Sequence, residues 1–386
     1  MTSNVKYIKA DKFFYPYETK GAGYLEIKDG KFGSYSVEAP KGAEIIDYTG
    51  DAIAPGLVDT HIHGFAGVDV MDNNITGLLE DMSEGLLATG VTSFLPTTLT
   101  GDHKLLKDVS KSIGENYKDA KGAKIQGIYF EGPYFTEEYK GAQNPIYFSN
   151  PSIEEFDGWQ EASGGIIKKI ALAPEREGVE EFVNHVTDEG VVVSLGHSNG
   201  TLEEATQAVE AGASVWVHAY NGMRGLNHRE VGMVGSMFEL PHTFAELICD
   251  GHHVDPKACD ILIKQKGSDH IAMITDCMRA GGKPDGAYKL GEFDVVVENG
   301  TARLKEGGNL AGSILKLKDA IKNVVSWGLV SEEEAVRMAS LIPAISCKID
   351  DKCGKIKAGR DADFIVLDKD LDLVSTWVDG QKRYEK

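Results

Sequence analysis

The chain has 386 residues and a formal charge of -20, with a pI near 5.0. Nucleic acid and anionic membranes are polyanions, so that charge argues against either as the main partner, and a small anionic substrate would need a locally basic pocket. Apolar residues at 42% and charged residues at 26% suit an ordinary globular protein and exclude a disordered one.

No apolar run approaches the ~20 residues that span a bilayer. The opening stretch MTSNVKYIKADKFFYPY has no signal-peptide apolar region, so the expected location is the cytoplasm. The five cysteines, Cys249, Cys259, Cys277, Cys347 and Cys353, are an odd number with no C-x-x-C pair. A disulfide framework is not expected, and any metal should sit on histidines and carboxylates. Cys277 reads as a packing residue.

Residues 1–52 read as short strands and turns. Lys28-Asp29-Gly30-Lys31 marks a hairpin, because Asp-Gly readily takes left-handed turn geometry. From Ile53 onward eight apolar, β-rich runs follow: AIAPGLVDTHIH, VTSFLPTT, IQGIYFEG, IKKIALAP, VVVSLGHS, SVWVHAY, FAELICDG and HIAMITD. Amphipathic helical patterns lie between most of them, among them TLEEATQAVEAGA, which opens on a capping box from Thr201 to Glu204 and places Leu202, Ala205 and Val209 on one stripe. Near-continuous apolar strands alternating with helices predict a parallel sheet covered by helices, and eight units are the count for a closed barrel.

After Asp276 the pattern changes to polar loop and β-like sequence, FDVVVENGTARLKEGGNLAGS. Two helices follow, from about Lys316 to Trp327 and from Ser331, which begins a capping box with Glu334. The last forty residues return to strands and turns. The expected fold is an α/β (β/α)8 TIM-type barrel over 53–345, with a small β-sandwich domain built from residues 1–52 and 346–386. The segment from Pro133 to Pro151 is long enough to close over the barrel mouth as a lid.

Polar residues gather where the barrel strands should end. His61 and His63 close the first run, Glu131 the third, His197 the fifth, His218 the sixth and Asp276 the eighth. In a strand, residues two apart share a face, so both imidazoles of the His-x-His pair can leave the strand end toward one point. Any one of these residues alone reads more readily as a packed histidine, a turn residue or a helix cap than as part of a site. Six at equivalent places on eight strands point to a site at the C-terminal mouth of the barrel. Imidazoles with carboxylates suit Zn²⁺ or Fe²⁺ and not Ca²⁺, which prefers oxygen ligands, and such an ion brings the pKa of water down to about 7. The implied reaction is hydrolysis, with Asp276 moving the proton.

PGLVDTHIHG and the closing GKIKAGRDADFIVL resemble the amidohydrolase superfamily. Together with TSFLPTT, GIYFEGPYF, LGHS, HAYNGM, DGHHVD, ITD and LAGS they resemble, within it, the N-acetylglucosamine-6-phosphate deacetylases over nearly the whole chain. That resemblance implies Glu131, His197 and His218 as ligands of the main catalytic metal, and His61 and His63 at a second metal position, so that one or two ions are held per subunit. Glu131 stands where many relatives use a carboxylated lysine, which argues against dihydroorotase-like or hydantoinase-like chemistry.

The resemblance further implies removal of the acetyl group from an amino-sugar phosphate, giving glucosamine 6-phosphate and acetate, with Asp276 as general acid/base. Asn221 and the Gly222 backbone would hold the phosphate, joined in relatives by Arg229 from a neighbouring subunit, which implies a homodimer. His253 matches a histidine that contacts the sugar, while His252 and His228 read as bystanders. Gln143 in KGAQNP stands where some relatives have a histidine that polarises the substrate carbonyl; an amide can donate a hydrogen bond there but carries no charge. The competing expectations are an amidohydrolase acting on another N-acyl amine or amino-sugar phosphate, and a catalytically silent barrel, which predicts missing ligands.

Overall fold

The computed structural model describes residues 5–72 and 75–386. The first four residues of the opening stretch therefore lie outside the described part. The eight apolar runs form eight parallel strands: Leu57–Ile62, Val91–Thr98, Ile128–Tyr134, Ile167–Leu172, Val192–Leu195, Val215–Trp216, Phe244–Ile248 and Ile271–Ile274. Each pairs with its sequence neighbour in parallel register. The ring closes at its C-terminal end, where Ile62 bridges Cys277 and the Asp276 amide donates to the His61 carbonyl at 2.9 Å. The sixth strand is only two residues long because the chain turns away directly after it, with His218 and Tyr220 both at positive φ.

The barrel interior is packed solid. Val58, Leu95, Tyr129, Ala171 and Val217 meet Ala344, Cys347 and Ile349, which arrive on and just after the helix Leu341–Ser346. A closed barrel of eight strands is just wide enough for such a filling. Outside it, the helices His103–Asn116, Val179–Asp188, Leu202–Glu210, Pro256–Lys266, Leu317–Ser326 and Glu332–Met338 stand where their patterns place them. Both capping boxes form, Thr201 with Glu204 and Ser331 with Glu334. On the helix Leu202–Glu210 the fully buried residues are Ala205 and Ala208, with Leu202 and Val209 at the edges of the stripe.

The chain ends share one mixed sheet. Glu44–Pro55 lies at its centre, parallel to Val5–Tyr15 and antiparallel to Phe364–Leu367. The boundary drawn between residues 52 and 53 thus falls inside a continuous strand, which carries the chain three residues further before the barrel begins. The sheet folds back on itself, since the Phe32 amide bonds to the Arg360 carbonyl at 2.8 Å and Lys31 bridges Asp361. Phe32, Phe364 and Trp377 fill the space enclosed, giving a sandwich-like core.

The β-like sequence after Asp276 is a three-stranded antiparallel sheet, Gly286–Leu290, Phe293–Glu298 and Thr301–Leu304, set over the barrel mouth. All five cysteines are free and buried, so no disulfide forms. No described helix is long and apolar enough to cross a membrane.

Candidate active site

Every strand-end residue singled out above arrives at one point. Glu131 lies at the centre: its Oε1 is 3.1 Å from His218 Nε2, 3.3 Å from His197 Nε2 and 3.4 Å from His61 Nε2, while its Oε2 is 3.2 Å from His63 Nε2. The Nε2 atoms of His197 and His218 are 3.0 Å apart, those of His61 and His63 3.3 Å. Asp276 Oδ1 closes the second trio, 3.1 Å from His63 Nε2 and 3.6 Å from His61 Nε2. Two separate ligand sets result, Glu131–His197–His218 and His61–His63–Asp276, all buried.

Backbone geometry aims these side chains. His197, His218 and Asp276 have φ of 46°, 24° and 49°, a left-handed conformation that non-glycine residues seldom adopt. Each stands two residues past the last residue of its strand, so the chain peels away from the barrel while its side chain stays over the mouth. Strain of this kind persists only where the surrounding structure enforces it, and it gathers at functional sites.

The opposite ring nitrogens decide the chemistry. Nδ1 of His63 donates to the Thr97 carbonyl (3.1 Å), Nδ1 of His197 to the Tyr139 carbonyl (2.8 Å), Nδ1 of His218 to the Asn221 carbonyl (3.0 Å), and Nδ1 of His61 to Glu246 Oε2 (2.9 Å). A carbonyl or carboxylate can only accept, so each of these rings carries its proton on Nδ1 and turns an Nε2 lone pair toward the centre. Four converging lone pairs beside two carboxylates repel one another unless a cation sits among them. Imidazoles anchored through Nδ1 in this way are the usual surroundings of a bound metal, and the residues present fit a divalent transition ion.

Without a cation the cluster gathers protons instead. Burial alone would push His61 down, but Glu246, Glu131 and Asp276 outweigh it and hold the ring up at about 9. Burial likewise opposes the shift at Glu131, where His61, His197 and His218 hold the carboxyl well below its usual range. Asp276 is kept low by His61 and His63 against the same desolvation. One residue before it, Thr275 Oγ1 donates to Asp59 Oδ2 at 2.6 Å, tying the eighth strand to the first. Burial lifts Asp59 to about 6, although hydrogen bonds from Thr275 and His61 pull the other way.

A cavity of about 340 Å³ opens over the cluster. His63, Glu131, His197, His218 and Asp276 form its floor, and Gln143, Asn221, Gly222 and His253 its walls. His253 is fixed by Asp250, whose Oδ2 lies 2.6 Å from Nδ1. Gly222 has φ +60°, and a Cβ there would lie 2.8 Å from His197 Nδ1, so only glycine fits. Gln143 is buried; its Oε1 accepts from the Thr100 amide at 2.8 Å and its Nε2 donates to Glu131 Oε2.

Arg229 is exposed and does not line this cavity, and its neighbour Glu230 pairs with Arg224. No lysine or arginine lines the cavity at all among the described residues. His228 and His252 are exposed and stand outside it. The Cys277 thiol is pushed well up by burial, as suits a packing residue.

Several wall residues carried no chemical signal in the sequence: Leu99, Gly141, Ala142, Leu290 and Asn309. Leu310 and Gly312 belong to the LAGS motif, which could have marked them.

The amidohydrolase family model matches residues 52–383. The chain belongs to that family. The family is metal-dependent, in keeping with the two ligand sets. Among curated relatives, an N-acetylglucosamine-6-phosphate deacetylase of Vibrio furnissii is 40% identical over 347 residues, 90% of this chain and 86% of that one. An N-acetylgalactosamine-6-phosphate deacetylase of Escherichia coli O157:H7 is 38% identical over 361 residues, 92% of this chain and 93% of that one. Among solved structures, an N-acetyl-D-glucosamine-6-phosphate deacetylase mutant of Mycobacterium smegmatis, in complex with N-acetyl-D-glucosamine-6-phosphate, superposes with a TM-score of 0.93 at 27% identity, over 98% of this chain and 99% of that one.

Proposed function

We propose that this chain is a metal-dependent hydrolase that removes the acetyl group of N-acetylglucosamine 6-phosphate, yielding glucosamine 6-phosphate and acetate. The observation that carries the reading is the convergence of four Nε2 lone pairs on Glu131 and Asp276 at the floor of a cavity sized for a monosaccharide. Glu131, His197 and His218 hold the main ion, Zn²⁺ or Fe²⁺, and His61 and His63 a second one beside Asp276. When bound, such an ion makes water acidic near neutral pH and withdraws charge from a carbonyl.

Asp276 is the general acid/base: it takes a proton from the attacking water and returns it to the departing sugar amine. Gln143 steadies Glu131 through one amide hydrogen, and its second is the donor left for the acetamide oxygen. At the other end of the sugar, His253 contacts the ring while Asn221 and the Gly222 amide hold the phosphate. None of these is a full positive charge, and the phosphate is a dianion. That deficit supports a homodimer in which Arg229 of the partner subunit completes the pocket, since a guanidinium matches phosphate with a planar fork of donors. The enzyme is placed in the cytoplasm, and Pro133 to Pro151 is read as a lid.

The test is amine release from N-acetylglucosamine 6-phosphate by the metal-loaded protein, with Asp276→Asn alongside. Turnover should fall by about 10²–10⁴ in the variant. No release from the wild type would sink the substrate assignment. The 38% identity to a galactosamine-type relative favours one second reading, the 4-epimer, and the same assay with N-acetylgalactosamine 6-phosphate ranks the two by kcat/KM.

A further inference from the structure

Three of the four central histidines are oriented by main-chain carbonyls. His61 is oriented by an ionised side chain. Glu246 lies inside the seventh strand, Phe244–Ile248, and Lys169 inside the fourth, Ile167–Leu172; both are fully buried, whereas the neighbouring Lys168 is not. We propose that Glu246, locked in place by Lys169, is the positioning residue that makes His61 a metal ligand, and so sets whether this barrel holds one ion or two. This rests on the metal-site reading above, but not on the identity of the substrate.

The geometry assigns each oxygen. Glu246 Oε1 is taken by the Lys169 ammonium. Oε2 accepts from His61 Nδ1 at 2.9 Å and from the His218 amide at 3.2 Å. Lys169 cannot swing away, because its Nζ sits 3.9 Å from the centroid of the Tyr129 ring, which in turn packs perpendicular to the His61 ring at 4.9 Å. A carboxylate has no hydrogen to give, so the proton in the His61 contact belongs to Nδ1 and the lone pair to Nε2. One carboxylate thereby also links a residue of each ligand set, the His61 ring and the His218 backbone.

An isosteric amide would break this assignment. In Glu246→Gln the ammonium of Lys169 still requires an acceptor, which turns the amide oxygen toward Lys169. The NH₂ group then faces His61 Nδ1 and the His218 N–H. His61 can meet it only by giving up its Nδ1 proton, and the alternative tautomer points an Nε2–H into the centre, where no cation can bind.

The experiment counts Zn²⁺ per subunit in the full-length protein by mass spectrometry and measures each affinity by competition with a chromophoric chelator. The wild type should hold two ions. E246Q should keep the ion at Glu131–His197–His218 and bind the other on the order of 10–100-fold more weakly. The proposal is overturned if E246Q binds two ions with unchanged affinities, or if the wild type holds only one. Should E246Q not fold, ¹⁵N spectra of histidine-labelled wild type, with His61→Asn to identify the signal, decide the matter. In the Zn²⁺-loaded protein, a His61 proton on Nδ1 alone supports the proposal and one on Nε2 overturns it. If two ions bind and E246Q loses one while no sugar amine is ever released, the substrate reading fails and this inference stands.

Discussion

Behind His197, Gly222 leaves no room for a side chain, and that makes it a sensitive probe of the site. Gly222→Ala should lose about 1–2 kcal/mol from left-handed backbone strain alone, measurable by denaturant unfolding. It should also lower kcat, because the added methyl would lie 2.8 Å from His197 Nδ1. Protons and metal compete for the same atoms. In metal-free protein His61 is raised from 6.5 to about 9, so the stability it confers is full below pH 6.5 and is lost as pH climbs through about 9. Chelator-treated protein should therefore unfold at lower denaturant at pH 9 than at pH 6.5, and Zn²⁺ should remove the decline. A flat profile without metal would contradict the charge balance described for the cluster. At this scale the sequence displayed the candidate ligands but not their anchors. His61, His63, Glu131, His197, His218 and Asp276 stood out by ending apolar runs, whereas Thr97, Tyr139 and Asn221 act through carbonyls that every residue has. Glu246 in FAELICDG did leave a trace, a charge in the middle of a buried strand, whereas Lys169 in IKKIALAP stands beside a second, partly exposed lysine.

Among the elements, the helices were the most legible, because capping and period are local properties. The box at Ser331 is remote from the cavity, so Ser331→Ala should cost about 1 kcal/mol in unfolding free energy and leave kcat/KM unchanged. The helix Ile153–Ala162, just past the segment from Pro133 to Pro151, has the same kind of signal, Ser152 accepting from the Glu155 amide. The insert sheet was visible as β-like sequence, but its position was not. Only tertiary packing sets Leu290 and Asn309 against the metal ligands. The segment after Pro133 is pinned to the site through the Tyr139 carbonyl on His197 and through Gln143 on Glu131, and further along through Asn144 and Tyr147 on Glu292. Ligand that closes it further should protect it from protease; equal cleavage with and without N-acetylglucosamine 6-phosphate would count against a lid.

For the whole molecule, the net charge of -20 opposes a phosphorylated substrate, and among the described residues no lysine or arginine lines the cavity. If the missing charge comes from a second protomer, Arg229→Ala and Asp276→Asn are inactive for different reasons and lie in different halves of each site. Subunits of the two variants, unfolded together and reassembled at random, should recover about a quarter of wild-type turnover, since half the dimers are mixed and each has one intact site. No recovery would mean that Arg229 serves its own chain or none. The global plan was readable because eight apolar runs and two β-rich ends are long-range patterns; the curl of the terminal sheet was not, because it depends on contacts such as Phe32 with Arg360. The plug inside the barrel has a further consequence. Ala344, Cys347 and Ile349 fill the space between strands made far earlier, and Phe364–Leu367 completes the sheet begun by Val5–Tyr15 and Glu44–Pro55. On the ribosome, therefore, the barrel cannot fill its interior until residues 344–349 have emerged, nor the terminal sheet cover the edge of Glu44–Pro55 until residues 364–367 have, long after their partner strands were made.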